Sequence, residues 1–278
     1  MSSGAETVVE KMARTIVAEV TGAKVVRSDH PKAPAGSVDG QLIYTDGRFG
    51  ALEVSTLGTQ TEFELEGRLN RRGGHLPAPG DWKWIISLRD PSELDRIESI
   101  YSKVVLACEK HRVRGPEFLP SDLVLEDPDL TWLCVESTSE FFGVVIPVGA
   151  KDKSGTVNIG AFIAISSWAS SELGLSAKLS QALTTDPLAK RTAKLIRVNV
   201  DERHLFLRVT PNGIAQSDFY NLVQHSVWPS EGREIVDSPR VPEGIDHIWL
   251  FTGWGQRVTR WRRGAGWDHP SFKQSTDD

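Results

Sequence analysis

Apolar positions recur at helical spacing over residues 6–20, where Val9, Met12, Ala13, Ile16 and Val20 form one stripe, and Gly22 follows as a natural stop. A short strand is expected at 24–27. Between residues 37 and 55 the pattern changes to two apolar-rich stretches separated by Asp46-Gly47, the signal of a hairpin. Further along, residues 82–88 read as a strand. Ser92 then caps a helix running to about His111, carried by Leu94, Ile97, Ile100, Tyr101, Val104, Val105 and Cys108. The middle third is β-like, with strands expected at 130–136, 141–148 and 157–165. Helices follow at 170–183 and 187–195, then a strand at 203–209, a helix at 214–224 and strands at 247–251 and 257–261.

The length of the hairpin loop decides which side chains share a face. A two-residue loop pairs Tyr44 with Phe49 and sends Asp39 and Glu53 to opposite sides. A three-residue loop, Thr45-Asp46-Gly47, with Gly47 in the left-handed region, pairs Tyr44 with Arg48 and Asp39 with Glu53. The second register is favoured because it gathers Leu42, Leu52 and Val54 on one face and leaves Asp39, Gln41, Ala51, Glu53 and Ser55 on the other. Two carboxylates placed opposite each other repel unless a cation or a proton bridges them.

Asp39, thirteen intervening residues, then Glu53-Val54-Ser55 resembles the core of the PD-(D/E)XK nucleases, a hairpin carrying an Asp and a Glu-x-Lys. Val38 stands where that pattern often has Pro, and Ser55 where it has Lys. The resemblance implies a restriction-endonuclease-like α/β fold, a mixed sheet flanked by helices. It also implies hydrolysis of DNA or RNA with magnesium or manganese, held by Asp39 and Glu53. A first-helix glutamate often adds a carboxylate to that core; Glu10 fits the spacing better than Glu19. A serine cannot supply the charge of the absent lysine, and Lys194 is the expected substitute. It is the central member of a positive helix face with Lys190 and Arg197. Ser55 would position water.

Other basic groups are candidates for nucleic acid. Arg68, Arg71 and Arg72 are expected on a polar loop with Gly73 and Gly74 directly after the Glu53 strand, and Lys190 lies beside Lys194. His204, at the start of the 203–209 strand, could contact a phosphate or move a proton. The C-terminal Trp249, Trp254, Trp261 and Trp267 interleave with Arg257, Arg260, Arg262 and Arg263, a pattern suited either to base stacking or to a packed hairpin.

Composition narrows the alternatives. At 278 residues the chain can bury a large core, and its Pro/Gly-containing segments are only loop-sized. A single elaborated domain is expected, with residues 6–115 as a nuclease-like core and 116–278 packed on it. The net charge of -5 excludes a globally basic coat but not local patches. No stretch is long and apolar enough for a membrane span or signal peptide, so the expectation is a cytoplasmic protein with no membrane partner. Cys108 and Cys134 form no Cys-x-x-Cys pair and read as reduced core thiols, and the seven histidines show no zinc spacing. Ser55 keeps open a rival reading, a degenerate member of the same fold that only binds; a plain interaction domain is the third.

Overall fold

The structure, a computed structural model, describes residues 7–28, 37–72, 75–88, 90–145, 156–161, 174–228 and 230–273. In chain order the elements begin α1 (Val8–Thr21), β1 (Lys24–Arg27), β2 (Gly40–Ile43), β3 (Phe49–Leu57), α2 (Gln60–Arg72), β4 (His75–Pro77), β5 (Lys83–Leu88), α3 (Leu94–His111), α4 (Ser121–Glu126) and α5 (Pro128–Val135). They continue with β6 (Glu140–Val144), β7 (Thr156–Ala161), α6 (Leu175–Ala182), α7 (Leu188–Ile196), β8 (Glu202–Val209), α8 (Gln216–Val227), β9 (His247–Phe251), β10 (Thr259–Arg262) and β11 (Gly266–Asp268). The expected strands at 141–148 and 157–165, the helix at 170–183 and Gly73-Gly74 lie partly or wholly outside the described residues.

Two compact units result: Met1–Gly58 together with Ile165–Asp278, and Thr59–Ala164. The first is built on a seven-stranded sheet in the order β1-β2-β3-β8-β9-β10-β11, flanked by helices. Its β1, β2 and β3 run antiparallel, β3/β8 and β8/β9 are parallel, and β10 and β11 return antiparallel. The fold is therefore mixed α/β. Helix α1 starts on a reciprocal cap, Thr7 Oγ1 accepting from Glu10 N and Glu10 Oε2 from Thr7 N, and ends at Gly22 in the left-handed region. Its Ala13, Ile16 and Val17 pack on Leu42, Leu52, Val54, Phe206 and Trp249. Each fully buried leucine in such a layer stabilises by about 2 kcal/mol.

The second unit is built on a four-stranded sheet, β4-β7-β5-β6, in which Trp84, Ile86, Val157 and Ile159 pack with Leu94, Ile97, Val104 and Val105 of α3. This division differs from the expected core at 6–115, because β5 pairs in this sheet and not beside the hairpin, while β8, far along the chain, does.

Four local expectations are corrected. Arg68, Arg71 and Arg72 belong to helix α2 rather than a loop. Thr59 and Glu62 cap it reciprocally, Thr59 Oγ1 accepting from Glu62 N at 3.2 Å and Glu62 Oε2 from Thr59 N at 2.9 Å, and Leu65 and Leu69 bury one face. Residues 130–135 of the expected strand belong to a helix, α5, because Asp127 accepts from the Asp129 and Leu130 amides and Pro128 takes the first helical position. Asp90, not Ser92, opens the segment before α3, accepting the Ser92 amide at 2.8 Å. Cys108 is buried but Cys134 is exposed, so only the first is a core thiol.

Candidate functional site

The hairpin loop has three residues. Gly47 sits at φ 87° and donates to Tyr44 O at 3.2 Å, while the Tyr44 amide donates to Arg48 O at 3.0 Å. Gly40 then faces Leu52 across the ladder, which sets Asp39 opposite Glu53. Asp39 Oδ2 accepts the Val54 amide at 2.7 Å, fixing that carboxylate against the neighbouring strand.

Glu53 lies on a central strand, between β2 and β8, and is completely buried. Such a charge needs partners. Helix α7 supplies them. Its Leu188, Thr192 and Leu195 face inward, and Arg191 and Lys194, three residues apart on one edge of that stripe, reach the carboxylate. Arg191 Nη1 lies 2.8 Å from Glu53 Oε1, and Lys194 Nζ lies 2.7 Å from Oε2. Each oxygen of the Glu53 carboxylate thus faces a cation, Oε1 the guanidinium and Oε2 the ammonium.

The electrostatics are those of crowded carboxylates. Burial, and then the charge of Asp39, push the Glu53 carboxyl up to about 7, against the pull of Lys194 and Arg191. Asp39 is also raised, by burial, with the Val54 amide and the two cations opposing and Glu10 adding to the rise. Glu10 thus acts on the site through its field while its Oε2 caps α1. Glu19 instead accepts the Lys273 amide at 2.8 Å. Ser55, half-buried, follows two residues after Glu53 and pairs with Leu207 of β8.

Two carboxylates that destabilise each other's charge have the donor chemistry that suits a hard divalent cation. A second cluster, Glu202, His204 and His247, brings its donor atoms within 4.8 Å of one another. It suits a metal less well. Trp249 Nε1 donates to His204 Nδ1 at 3.3 Å, which leaves the proton of neutral His204 on Nε2, the nitrogen turned toward Glu202. A ligating imidazole normally donates through its other nitrogen instead. The His204 and His247 rings also stack at 4.2 Å and 1°, so their in-plane lone pairs do not converge. Tyr44, Glu202 and His204 form a hydrogen-bonded network: the Tyr44 hydroxyl donates to Glu202 Oε2 at 2.5 Å and lies 3.1 Å from His204 Nε2. Burial lowers His204 and, with the His204 charge, lowers His247 to about 3.

The expected phosphate contact by His204 is corrected by this burial. Paired in register with Leu52, His204 lies on the α1 side of the sheet, inside the core. Lys190 is exposed and pairs with Asp186 at 2.9 Å. Arg68 pairs with Asp95 at 3.0 Å and donates to Pro91 O, while Arg71 is exposed; both line a cleft of about 790 Å³ in the second unit with Thr61, Phe63, Asp90 and Ser92. The side chain of Arg72 lies outside the described residues. Of the C-terminal tryptophans, Trp249 and Trp261 are buried, Trp267 donates to Asp237 O, and only Trp254 is widely exposed. Arg260 forks onto Asp268 at 2.9 and 2.6 Å, so this region packs as a hairpin.

The residue that sequence reasoning missed is Arg191. The stripe Leu188, Thr192, Leu195 was the available signal, because it places positions 191 and 194, not 190 and 197, along the edge facing the sheet.

Comparison with protein-family models, curated proteins and solved structures gave no match. No described helix is long and apolar enough to cross a membrane.

Proposed function

We propose that this protein hydrolyses phosphodiester bonds of nucleic acid with a magnesium or manganese ion, on a restriction-endonuclease-like arrangement of the first unit. The observation that carries this reading is the contact of Lys194 with Glu53 at 2.7 Å, beside Asp39. It supplies, from a helix, the positive charge that Ser55 cannot.

Asp39 and Glu53 would hold the ion. When bound, a hard cation lowers the pKa of water and offsets charge on a phosphate oxygen. The Lys194 ammonium, held by Glu53, stands where it can stabilise negative charge building on an attacking oxygen. The Ser55 hydroxyl, on the same strand, can orient water by hydrogen bonding. Burial of Glu53 keeps bulk solvent from competing for its oxygens.

One observation favours a second reading, a nuclease-like fold that only binds. Arg191 and Lys194 already offset the charge of Glu53, so the pocket is satisfied without an ion. Calorimetry with magnesium and manganese separates the two. The hydrolase reading expects saturable binding that Asp39→Ala removes and His247→Ala leaves intact, with cleavage of DNA or RNA lost in Glu53→Gln. Absence of both metal binding and cleavage selects the binding module.

A further inference from the structure

We propose that Arg191 is a phosphate-binding residue held in reserve by Glu53 and released when a divalent cation binds, so that metal and nucleic acid load the site cooperatively. The inference rests on the metal-site reading given above.

Glu53 is shared between two cations of unequal enclosure. The Arg191 side chain is 47% exposed and that of Lys194 22%. An ion bound to either oxygen of Glu53 takes up the negative charge that holds both side chains and repels them across a few ångströms. The group that leaves at least cost is the one that regains water most readily, which is Arg191. Lys194, more enclosed by the sheet, stays. What holds the guanidinium inward is its 2.8 Å contact with Glu53 Oε1, the same oxygen an ion would take up.

The released group has the right chemistry for the next step. A guanidinium presents planar, paired donors that match two phosphate oxygens, whereas an ammonium acts as a point charge. From α7, Arg191 projects from the same helix as Lys194 and one turn before it, so a phosphodiester placed beside the ion comes within reach of its side chain. Before the ion arrives, Arg191 and Lys194 compete with it for the same carboxylate. After it arrives, the same arginine favours substrate. Linkage makes the effect reciprocal: the factor by which metal tightens nucleic-acid binding equals the factor by which nucleic acid tightens metal binding.

Calorimetry and fluorescence anisotropy on the full chain test this. Removing the competitor in Arg191→Ala should tighten magnesium binding about tenfold. Arg191→Gln, which keeps a donor for Glu53 but not the charge, serves if the alanine variant folds poorly. Arg197→Ala, at the end of the same helix, controls for the general field and should change metal affinity less than about twofold. In anisotropy, labelled duplex DNA and labelled RNA are titrated with and without calcium, used as a non-cleaving ion. Whichever polymer binds should bind the native chain about tenfold tighter with calcium, and Arg191→Ala should show a much smaller increment despite its tighter grip on metal. Metal binding that is unchanged or weaker in both Arg191 variants, with Asp39→Ala still abolishing it, overturns the reserve role and leaves the metal site standing. A calcium increment as large in Arg191→Ala as in the native chain also overturns it. No metal binding to the native chain removes the site itself, and the proposal with it.

Discussion

Asp39 accepts the amide of Val54, the residue that follows Glu53, so the backbone of one carboxylate's strand anchors the other carboxylate at 2.7 Å. The two acids are therefore not independent. A shift of the hairpin register by one residue would break the anchor and turn Glu53 away from α7 together.

This dependence makes Gly47 a sensitive position. Its φ of 87° is reached by glycine without strain, and nothing lies within 4 Å of where a Cβ would stand, so the cost of substitution is conformational and not steric. Gly47→Val should destabilise by about 1–2 kcal/mol, and Gly47→Asn by less, since asparagine tolerates the left-handed region. Urea denaturation of the two variants gives the ranking; equal losses would mean that the loop does not set the register.

Charge at the site should be portable. Lys194→Met is expected to slow cleavage about 100-fold if the ammonium stabilises the attacking oxygen. Adding Ser55→Lys in the same chain should recover part of that loss, because residue 55 lies two positions along β3 from Glu53 on the same face. The measurement is the single-turnover rate of the single and double variants. Failure of the double variant to recover, with the fold intact by circular dichroism, would restrict Lys194 to a structural role.

Stability should fall as pH rises. The Glu53 carboxyl titrates near 7 in the folded chain against 4.5 unfolded, so between those values the folded state holds a proton that the unfolded chain has released. Its contribution is therefore greatest at the acidic end of the window, declines through it and levels off above about 7. Between about pH 5 and 8 the expected loss is on the order of 1–3 kcal/mol, and Glu53→Gln should flatten most of it. Urea midpoints measured across that range decide the point. A slope that survives in the variant would assign it to other groups.

Much of the site was legible because its determinants are local. Asp46-Gly47 and the alternation on either side fix the hairpin, and Lys194 follows from asking where a missing charge could come from. What was not legible depends on burial by distant residues. His204 follows two charged residues and so reads as exposed, yet β9 covers it with His247 and Trp249. Charge spacing alone selects Lys190, Lys194 and Arg197, whereas the Leu188-Thr192-Leu195 stripe that orients α7 brings Arg191 to the sheet. In α5 a short apolar run has the look of a strand while Asp127-Pro128 marks a helix start, and in α2 the Thr59-Glu62 cap sets a helix where the charge of the arginines suggests a loop. The separation into two units, Thr59–Ala164 inserted within the other, rests on pairings between strands far apart in the chain, β3 with β8 and β5 with β7, which local patterns do not encode.

That insertion sets the order in which the molecule can be made. The hairpin with Asp39 and Glu53 leaves the ribosome before the whole Thr59–Ala164 unit, and α7 and β8 only after it. During this interval the two acids have no ion-pair partners from α7, and β3 waits for its parallel neighbour. Joining β3 to β8 closes a long stretch of chain, a step that is slow in folding although its entropic cost grows only with the logarithm of length. The site is thus a late product of vectorial synthesis: an N-terminal fragment ending within the second unit carries both acids and neither of the cations that neutralise Glu53.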